Sequence, residues 1–457
     1  MASVVPLKKR RYDGASTSTR TRQWNTPSTD ADSANSSPAR LRNRARDLRR
    51  NNPWAAKGIQ VITNNVIGYG IKAQWKSKKA QRLWSEWAET SACDASGMQD
   101  IYGLQALALS CVVESGEVLV RLRPRLASDG LPVPMQIQVL DPDRLVETLD
   151  GQTRSGNLVS RGIEYDAVGR RVAYYLYKHH PGAVARGLRT DWNQYSRVPA
   201  SEIIHVFRKD RPEQERGVTW LAPIIMTLRE LDIYEDAYLK RQQIANLFAL
   251  FVLSQEENDT AQQAFTDLED GLMPGAAYFM QEGFDVKFSA PPKADDYGPY
   301  TRDTLYRAAA GLGVTSEALT GDLSRVNFSS ARMGWQEFGR NIDAWRWQMF
   351  IPTFCHGVAR WFIAMSDVTD KPPEWTPPAR TLVDPAKEIP ALRDAVRSGF
   401  KSWPEAVREQ GFDPDQLMDE IKQSNDALDR LGIKLDSDPR ANAKTAEPDT
   451  EEPNDDE

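Results

Sequence analysis

PIIMTLRELDIYEDAYLKRQQIANLF, Pro223 to Phe248, is the stretch on which the architecture turns. Pro223 sits at a first helical turn, where its missing N–H costs nothing. Ile224, Leu228, Leu231, Tyr238, Ala245 and Phe248 recur at multiples of three or four, which marks one face of a helix. Arg229, Glu230, Glu235, Asp236, Lys240 and Arg241 lie largely off that face. A helix of roughly 25 residues is about 37 Å long at 1.5 Å per residue. In a chain that also carries strands, such a helix is a strut.

Downstream, Phe251 to Leu253 starts a strand, Glu256 to Asp267 reads as a polar helix, and Gly271 to Phe288 alternates. Gly283 turns that segment, with Ala277 and Phe279 before it and Val286 and Phe288 after it. Thr301 to Gly311 is a second, alanine-rich helix, so the plan is helix, small α/β insertion, helix. A Gly-rich turn and short helix follow (Gly311 to Asp322), then LSRVNFSS, Leu323 to Ser330, with Ser329 or Ser330 as the expected cap of the next helix. That helix carries Trp335, Phe338, Ile342, Trp345 and Met349, and Pro352 is expected to kink or break it before Phe354, Val358 and Trp361 continue the apolar face. The prolines of Lys371 to Pro378 form a connector, and Ala386 to Leu431 reads as two or three helices punctuated by Gly399 and Gly411.

Upstream, Leu41 to Asn65 is helical and interrupted at Asn51-Asn52-Pro53. Shorter helices carry Trp84 with Trp87, and Met98 to Cys111. Strands follow at Glu117 to Leu122, with Val118 and Val120 on one face, and at Met135 to Leu140. Gly162 to Tyr177 is a hairpin turning at Val168-Gly169, and Glu202 to Phe207 is a short apolar strand. Residues 100 to 210 therefore read as an α+β unit with an antiparallel sheet.

The 457 residues allow two to four compact units. Thirteen tryptophans favour an assembly with much buried surface. The net charge of −6 argues against gripping DNA with the whole surface. Charge is concentrated at the ends: Met1 to Arg50 holds 12 Lys/Arg against 4 Asp/Glu, and Ala441 to Glu457 holds seven acidic residues and one lysine. The basic arm reads as a contact for nucleic acid or an acidic chain, or as a solvated tail; the acidic end reads as a disordered tail. Cys93, Cys111 and Cys355 show no metal-ligand or disulfide spacing, and no apolar run is long enough for a membrane span.

The chemistry of an enzyme is absent from the pattern. There is no GxxxxGK[ST], HExxH or GxSxG, and Gly311-Leu312-Gly313 lacks the rest of a dinucleotide fingerprint. His205 reads as a satisfied sheet histidine, His179-His180 as loop, and Asp141-Pro142-Asp143 as a turn rather than a magnesium site. Arg208, Lys209, Arg211 and Arg216, interleaved with Asp210, Glu213 and Glu215, read as a solvated or subunit-facing loop. No cofactor or metal is expected, and a structural role is.

An ordered set of segments resembles the lambda-type family of phage portal proteins. It includes RDLRRNNPWA (Arg46 to Ala55), NNVIGYGI (Asn64 to Ile71), ESGEVLVR (Glu114 to Arg121) and MQIQVLDPDRL (Met135 to Leu145). It continues with GIEYDAVGRRVAYYLY (Gly162 to Tyr177), VPASEIIHVF (Val198 to Phe207), RPEQERGVTWLAP (Arg211 to Pro223), LMPG (Leu272 to Gly275), GLGVTSEALTGDLSRVNFSSARMG (Gly311 to Gly334) and VDPAKE (Val383 to Glu388).

The resemblance implies an α+β portal fold assembled as a ring of twelve. A disordered basic arm (1–40) would precede the wing (41–222). The first stem helix (223–250), clip (251–298) and second stem helix (299–311) would follow. Next would come a tunnel-loop region (312–330), the long wing helix with its connector (331–382), a helical crown (383–440) and a disordered acidic tail (441–457). It implies a channel for double-stranded DNA at one capsid vertex, for packaging and ejection. Ser324, Arg325, Val326, Asn327 and Phe328 would approach the DNA. The implied partners are the terminase large subunit, the head–tail connector and the major capsid protein. The chain would be made in the host cytoplasm and reside in the virion. The other readings are a different head–tail adaptor ring, which should lack the helix–insertion–helix plan, and a head-associated nuclease or protease, which the missing motifs oppose.

Overall fold

The computed structural model describes residues 28–33, 37–183, 194–246, 250–254, 284–288, 297–380, 382, 384–435 and 440. The fold is α+β. Helices α1 (Pro38–Asn51) and α2 (Pro53–Val66) meet at Asn52, which any L-residue before proline would hold extended. Asn52 is buried; its Oδ1 accepts the Ala55 N–H at 2.9 Å and its Nδ2 donates to Asp232 at 2.7 Å. One side chain thus caps α2 and ties it to the strut. Asn52→Ala should lower stability by about 1–2 kcal/mol, read as a shift in the urea midpoint.

Strand β1 (Lys72–Gln74) is followed by helices α3 (Lys78–Ala88) and α4 (Ile101–Ser115). Strands β2 (Glu117–Pro124) and β3 (Met135–Leu140) then build a three-stranded antiparallel sheet with β9 (Ile203–Phe207), in the order β3-β2-β9. A second antiparallel sheet runs in sequence order: β4 (Gly151–Gln152), β5 (Leu158–Ser160), β6 (Ile163–Tyr165), β7 (Arg171–Tyr177) and β8 (Tyr195–Pro199). Strand β2 is buried on both faces. Val118 and Val120 enter the main core, and Leu119 enters a second core with Leu140, Ile163, Tyr174 and Leu176. The alternation seen in the sequence marks one face correctly but hides the second core.

The strut, α5, spans Ile225–Asn246. Ile225, Leu228 and Leu231 bury its first turns, whereas Ile233 and Leu239 are exposed further along. Its middle packs on α6 (Tyr297–Leu312) through four tyrosines. Tyr234 lies 4.5 Å from Tyr300 and Tyr238 lies 4.5 Å from Tyr297, centroid to centroid. The later tyrosine of α5 meets the earlier one of α6, so the two helices are antiparallel. Between them, β10 (Leu250–Ser254) pairs with β11 (Phe284–Phe288). The described partner of Phe284–Phe288 is therefore Leu250–Ser254; Glu256 to Asp267, Ala277 and Phe279 lie outside the described residues.

After the short α7 (Ser316–Thr320), helix α8 (Phe328–Ala344) passes through a π-helical segment, Trp345–Cys355, into α9 (His356–Met365) without a break. Pro352 was expected to kink or end this helix. It lies inside the π segment, where hydrogen bonding is already re-registered and one missing N–H is absorbed. Phe338, Ile342, Met349, Phe354, Val358 and Trp361 are buried along it. Strand β12 (Glu374–Thr376) returns to pair with β1. Trp75, Trp84, Trp87, Phe362 and Trp375 form one aromatic cluster, with Trp84 5.0 Å from Phe362. Many of the tryptophans that the sequence pointed towards an assembly thus serve this chain's own core, although Trp347 is 51% exposed.

Three helices close the described chain: α10 (Pro385–Arg397), α11 (Trp403–Glu409) and α12 (Pro414–Leu431). Gly399 and Gly411, both at positive φ, separate them. They bury little, and Ile389, Phe400, Phe412, Met418 and Leu431 stand exposed.

Candidate functional site

The loop expected to approach DNA is built by short-range bonds. Helix α7 ends at Gly321, whose φ of +73° suits glycine, and the Gly321 N–H donates to Glu317 O at 2.8 Å. Asp322 N–H then donates to Thr320 Oγ1 at 3.2 Å, Ser324 N–H to Asp322 Oδ1 at 2.9 Å and Val326 N–H to Leu323 O at 3.2 Å. The hydrogen bond from Ser324 and the nearby Arg302 and Arg325 hold the Asp322 carboxyl below its usual pKa. The loop is therefore a self-supporting turn that leaves Leu323, Ser324, Arg325 and Asn327 exposed. Val326 is half-buried and, with Arg325, Arg302, Tyr306 and Trp54, lines a groove of about 360 Å³.

Two sequence expectations need correcting here. The cap of α8 is neither Ser329 nor Ser330. Asn327 Oδ1 accepts the Ser330 N–H at 2.8 Å, and Ser330 Oγ accepts the Asn327 N–H at 3.2 Å. This reciprocal capping box starts the helix at Phe328, earlier than a cap at Ser329 or Ser330 would allow. Phe328 is thus the first helical residue rather than part of a loop extending to 330. The structure brings Ser324, Arg325, Val326 and Asn327 together in one turn, with Phe328 next to it in the chain.

A buried ion network, which the sequence did not reveal, pins the α+β unit. Glu117, 1% exposed, accepts from the Arg216 guanidinium, from His205 Nε2 at 3.0 Å and from the Gly217 N–H at 2.8 Å. Arg216 also reaches Glu147 at 2.7 Å. Arg42 joins Glu147 at 2.7 Å to Asp143 at 2.8 Å, and Arg46 bridges Asp143 and Asp141. Arg216 was expected in a solvated or subunit-facing loop; within the chain itself it is 4% exposed. The carboxylates of Glu117 and Glu147 draw it inward, away from Arg208, which stays near Asp210 and over the Trp220 ring. Asp32, in the segment before α1, accepts from the Glu215 and Arg216 N–H groups at 2.9 and 3.2 Å. His205 lies in the sheet as read but is only half satisfied: Nε2 bonds Glu117, while Nδ1 is buried without a partner. Burial pushes its pKa down to about 4 against the pull of Glu117 and holds it neutral. Asp141-Pro142-Asp143 is a turn, Asp143 N–H donating to Asp141 Oδ1 at 2.9 Å. Asp141, Asp143 and His180 converge with ligand atoms within 4.8 Å of one another, but Arg42 and Arg46 already engage both carboxylates.

The family model described as "Phage portal protein, lambda family" matches residues 17–346. The chain belongs to the lambda family of phage portal proteins. A probable portal protein of Halomonas phage phiHAP-1 is 26% identical over 431 residues, spanning 86% of this chain and 81% of that one. The portal protein of Escherichia phage N15 is 21% identical, with 91% and 89% covered, and portal protein B of Escherichia phage lambda is 20% identical, with 91% and 88% covered. Among solved structures, the fold is similar to a chain from the neck of an empty GTA particle computed with C6 symmetry, with a TM-score of 0.51, 15% identity and 82% and 94% covered. It is likewise similar to one from the neck of a native GTA particle computed with C12 symmetry, with a TM-score of 0.50, 14% identity and 81% and 94% covered. Portal proteins are structural, so this chain is not an enzyme, and the lack of catalytic motifs has its explanation in the family. No helix among the described residues is long and apolar enough to cross a membrane.

Proposed function

We propose that this portal chain forms a twelve-membered ring at one capsid vertex, through which double-stranded DNA is packaged and later ejected. The observation that carries the reading is the arm of α5 and α6, two antiparallel helices clamped by four tyrosines with an antiparallel strand pair between them in the chain. In this reading the arm is the stem and the β10–β11 segment the clip. The α+β unit with α8 and α9 is the wing, residues 321–327 are the tunnel loop, and α10 to α12 are the crown. Exposed Ile233 and Leu239 on the stem, and Ile389, Phe400 and Met418 on the crown, are apolar surface that neighbouring subunits would cover. The clip side receives the terminase large subunit during packaging and the head–tail connector afterwards, while the major capsid protein surrounds the wing. Synthesis in the host cytoplasm fits three free cysteines, two of them buried. At −6 per chain the ring is acidic, which suits a channel through which DNA slides rather than sticks. Negatively stained particles viewed down their axis should show rings of twelve. A protein that stays monomeric across a range of salt concentrations overturns the proposal.

A further inference from the structure

The sheet β3-β2-β9 has one face in the main core, and its other face changes character along the strands. Glu117, Leu119, Arg121 and Arg123 share that second face. Leu119 faces Leu140 on β3 and His205 on β9; Arg121 faces Gln138 and Ile203; Arg123 faces Gln136. Around Glu117 and Leu119 the face is covered by the ion network and the second core. From Arg121 onward it is a row of half-buried arginines, Arg121, Arg123 and Arg125, joined by Arg144 from the turn after β3.

None of these four forms an ion pair among the described residues. Arg123 is held by Gln138 Oε1, with Nε at 2.8 Å and Nη2 at 2.6 Å, and Arg125 Nε donates to Gln136 Oε1 at 2.7 Å. The Gln136 amide is itself fixed, its Nε2 donating to Asp94 O at 2.9 Å and Ala92 O at 3.2 Å, so its oxygen must face the arginine. Arg121 Nε is buried without a partner. A glutamine oxygen orients a guanidinium without discharging it. Burial first, and then the neighbouring arginines, lower the pKa of Arg123; burial and Arg121 do the same to Arg144. Glu202 and Asp141 are the carboxylates that oppose this, and Asp141 is already bonded to Arg46. Elsewhere in the same unit Arg42, Arg46 and Arg216 each meet two carboxylates. The row is thus oriented, mutually repelling positive charge that no carboxylate among the described residues neutralises.

We propose that Arg121, Arg123, Arg125 and Arg144 bind the phosphates of double-stranded DNA at a site separate from the loop at 321–327. The proposal rests on the portal reading, which brings DNA to this protein. Successive side chains on one face of a strand stand about 6.7 Å apart, and duplex DNA carries a charge every ~1.7 Å of its axis. Along a single strand the phosphates follow every ~3.4 Å of axis, close enough for successive arginines of the row to reach successive phosphates. All four are arginine and none is lysine, which matches the planar, bidentate recognition of phosphate oxygens.

The test is binding of a short duplex to assembled rings, followed by fluorescence anisotropy from about 50 to 200 mM salt. The variant Arg121→Gln/Arg123→Gln/Arg125→Gln/Arg144→Gln should reduce the slope of log K against log salt by about 2 or more, since each lost phosphate contact removes about 0.9. The corresponding four-lysine variant should keep most of the slope. If the glutamine variant does not fold, Arg125→Gln and Arg144→Gln singly should each remove about 0.9. An unchanged slope on intact rings overturns the proposal. So does a variant whose rings fall apart while its DNA slope is unchanged, which would make a neighbouring copy's carboxylates the partner. Failure of the portal reading shows separately, as wild-type protein that forms no ring.

Discussion

Replacing Glu117 by alanine should cost about 3–5 kcal/mol of folding stability, the range seen when one member of a buried ion pair is removed. The magnitude follows from what remains. Arg216 and His205 are both buried, and Arg216 would keep its charge with only Glu147 to meet it. The Gly217 N–H would also lose its acceptor, next to a backbone so close that a Cβ on Gly217 would lie 2.2 Å from Gly116 O. Those glycines let the loop before the strut approach the end of α4, so the carboxylate anchors the place where the α+β unit hands over to α5. Urea denaturation at fixed protein concentration measures the effect; a loss under about 1 kcal/mol would mean that packing alone holds the junction.

The same network sets a pH dependence. Burial lowers the pKa of His205 from 6.5 to about 4, and the unfolded chain therefore binds the proton more readily. Its contribution is fully present above pH 6.5 and is lost as pH falls through about 4. Glu117 works in the same direction: burial opposes its charge, but Arg216 and His205 outweigh that and hold its pKa well below 4.5. Its contribution is present above that value and is lost in stronger acid. Stability should therefore fall as pH drops from 6.5 towards 4, and His205→Gln, which keeps a donor but does not titrate, should flatten that slope. An equally steep slope in the variant would assign the loss to other groups.

How far the fold could be read from sequence depended on the range of the interaction. The strut was legible because Ile224, Leu228 and Leu231 obey a local period, and the hairpin at Val168-Gly169 because a turn and two alternating runs lie within sixteen residues. The extra core under Leu119 was not, because burial of the second face depends on a sheet formed more than thirty residues later. Arg216 was misread for the same reason. Its neighbours in sequence are acids in a polar loop, whereas its partners, Glu117 and Glu147, are 99 and 69 residues away. Pro352 does not break the helix, because the chain carries the proline in a π-helical segment that a rule for the α-helix does not anticipate. The candidate loop was found by family resemblance rather than by chemistry: LSRVNFSS carries several cap-forming residues, and the sequence does not say which of Asn327, Ser329 and Ser330 starts the helix.

Val326→Asp combined with Phe328→Asp should leave rings intact and reduce DNA-filled heads, or DNA retained in them, by at least about tenfold. The fold should tolerate both changes. Val326 is only half-buried in a turn held by its own backbone, and position 328 opens α8, where an acidic side chain favours the helix N-terminus. The electrostatics change much more. In the proposed channel, each subunit would gain two carboxylates near Arg325 in sequence, and around a ring these would form a band of negative charge towards the phosphates. At physiological ionic strength such repulsion reaches about 8 Å, enough to act across a narrow channel but not on a distant surface. Val326→Ala with Phe328→Ala separates charge from contact: it should impair packaging less than the aspartate pair if repulsion dominates, and equally if the apolar side chains themselves support the duplex. Counting DNA-filled heads by electron microscopy reads both. Unchanged filling in the aspartate variant would remove residues 324–328 from the channel, and loss of the rings would place them between subunits instead.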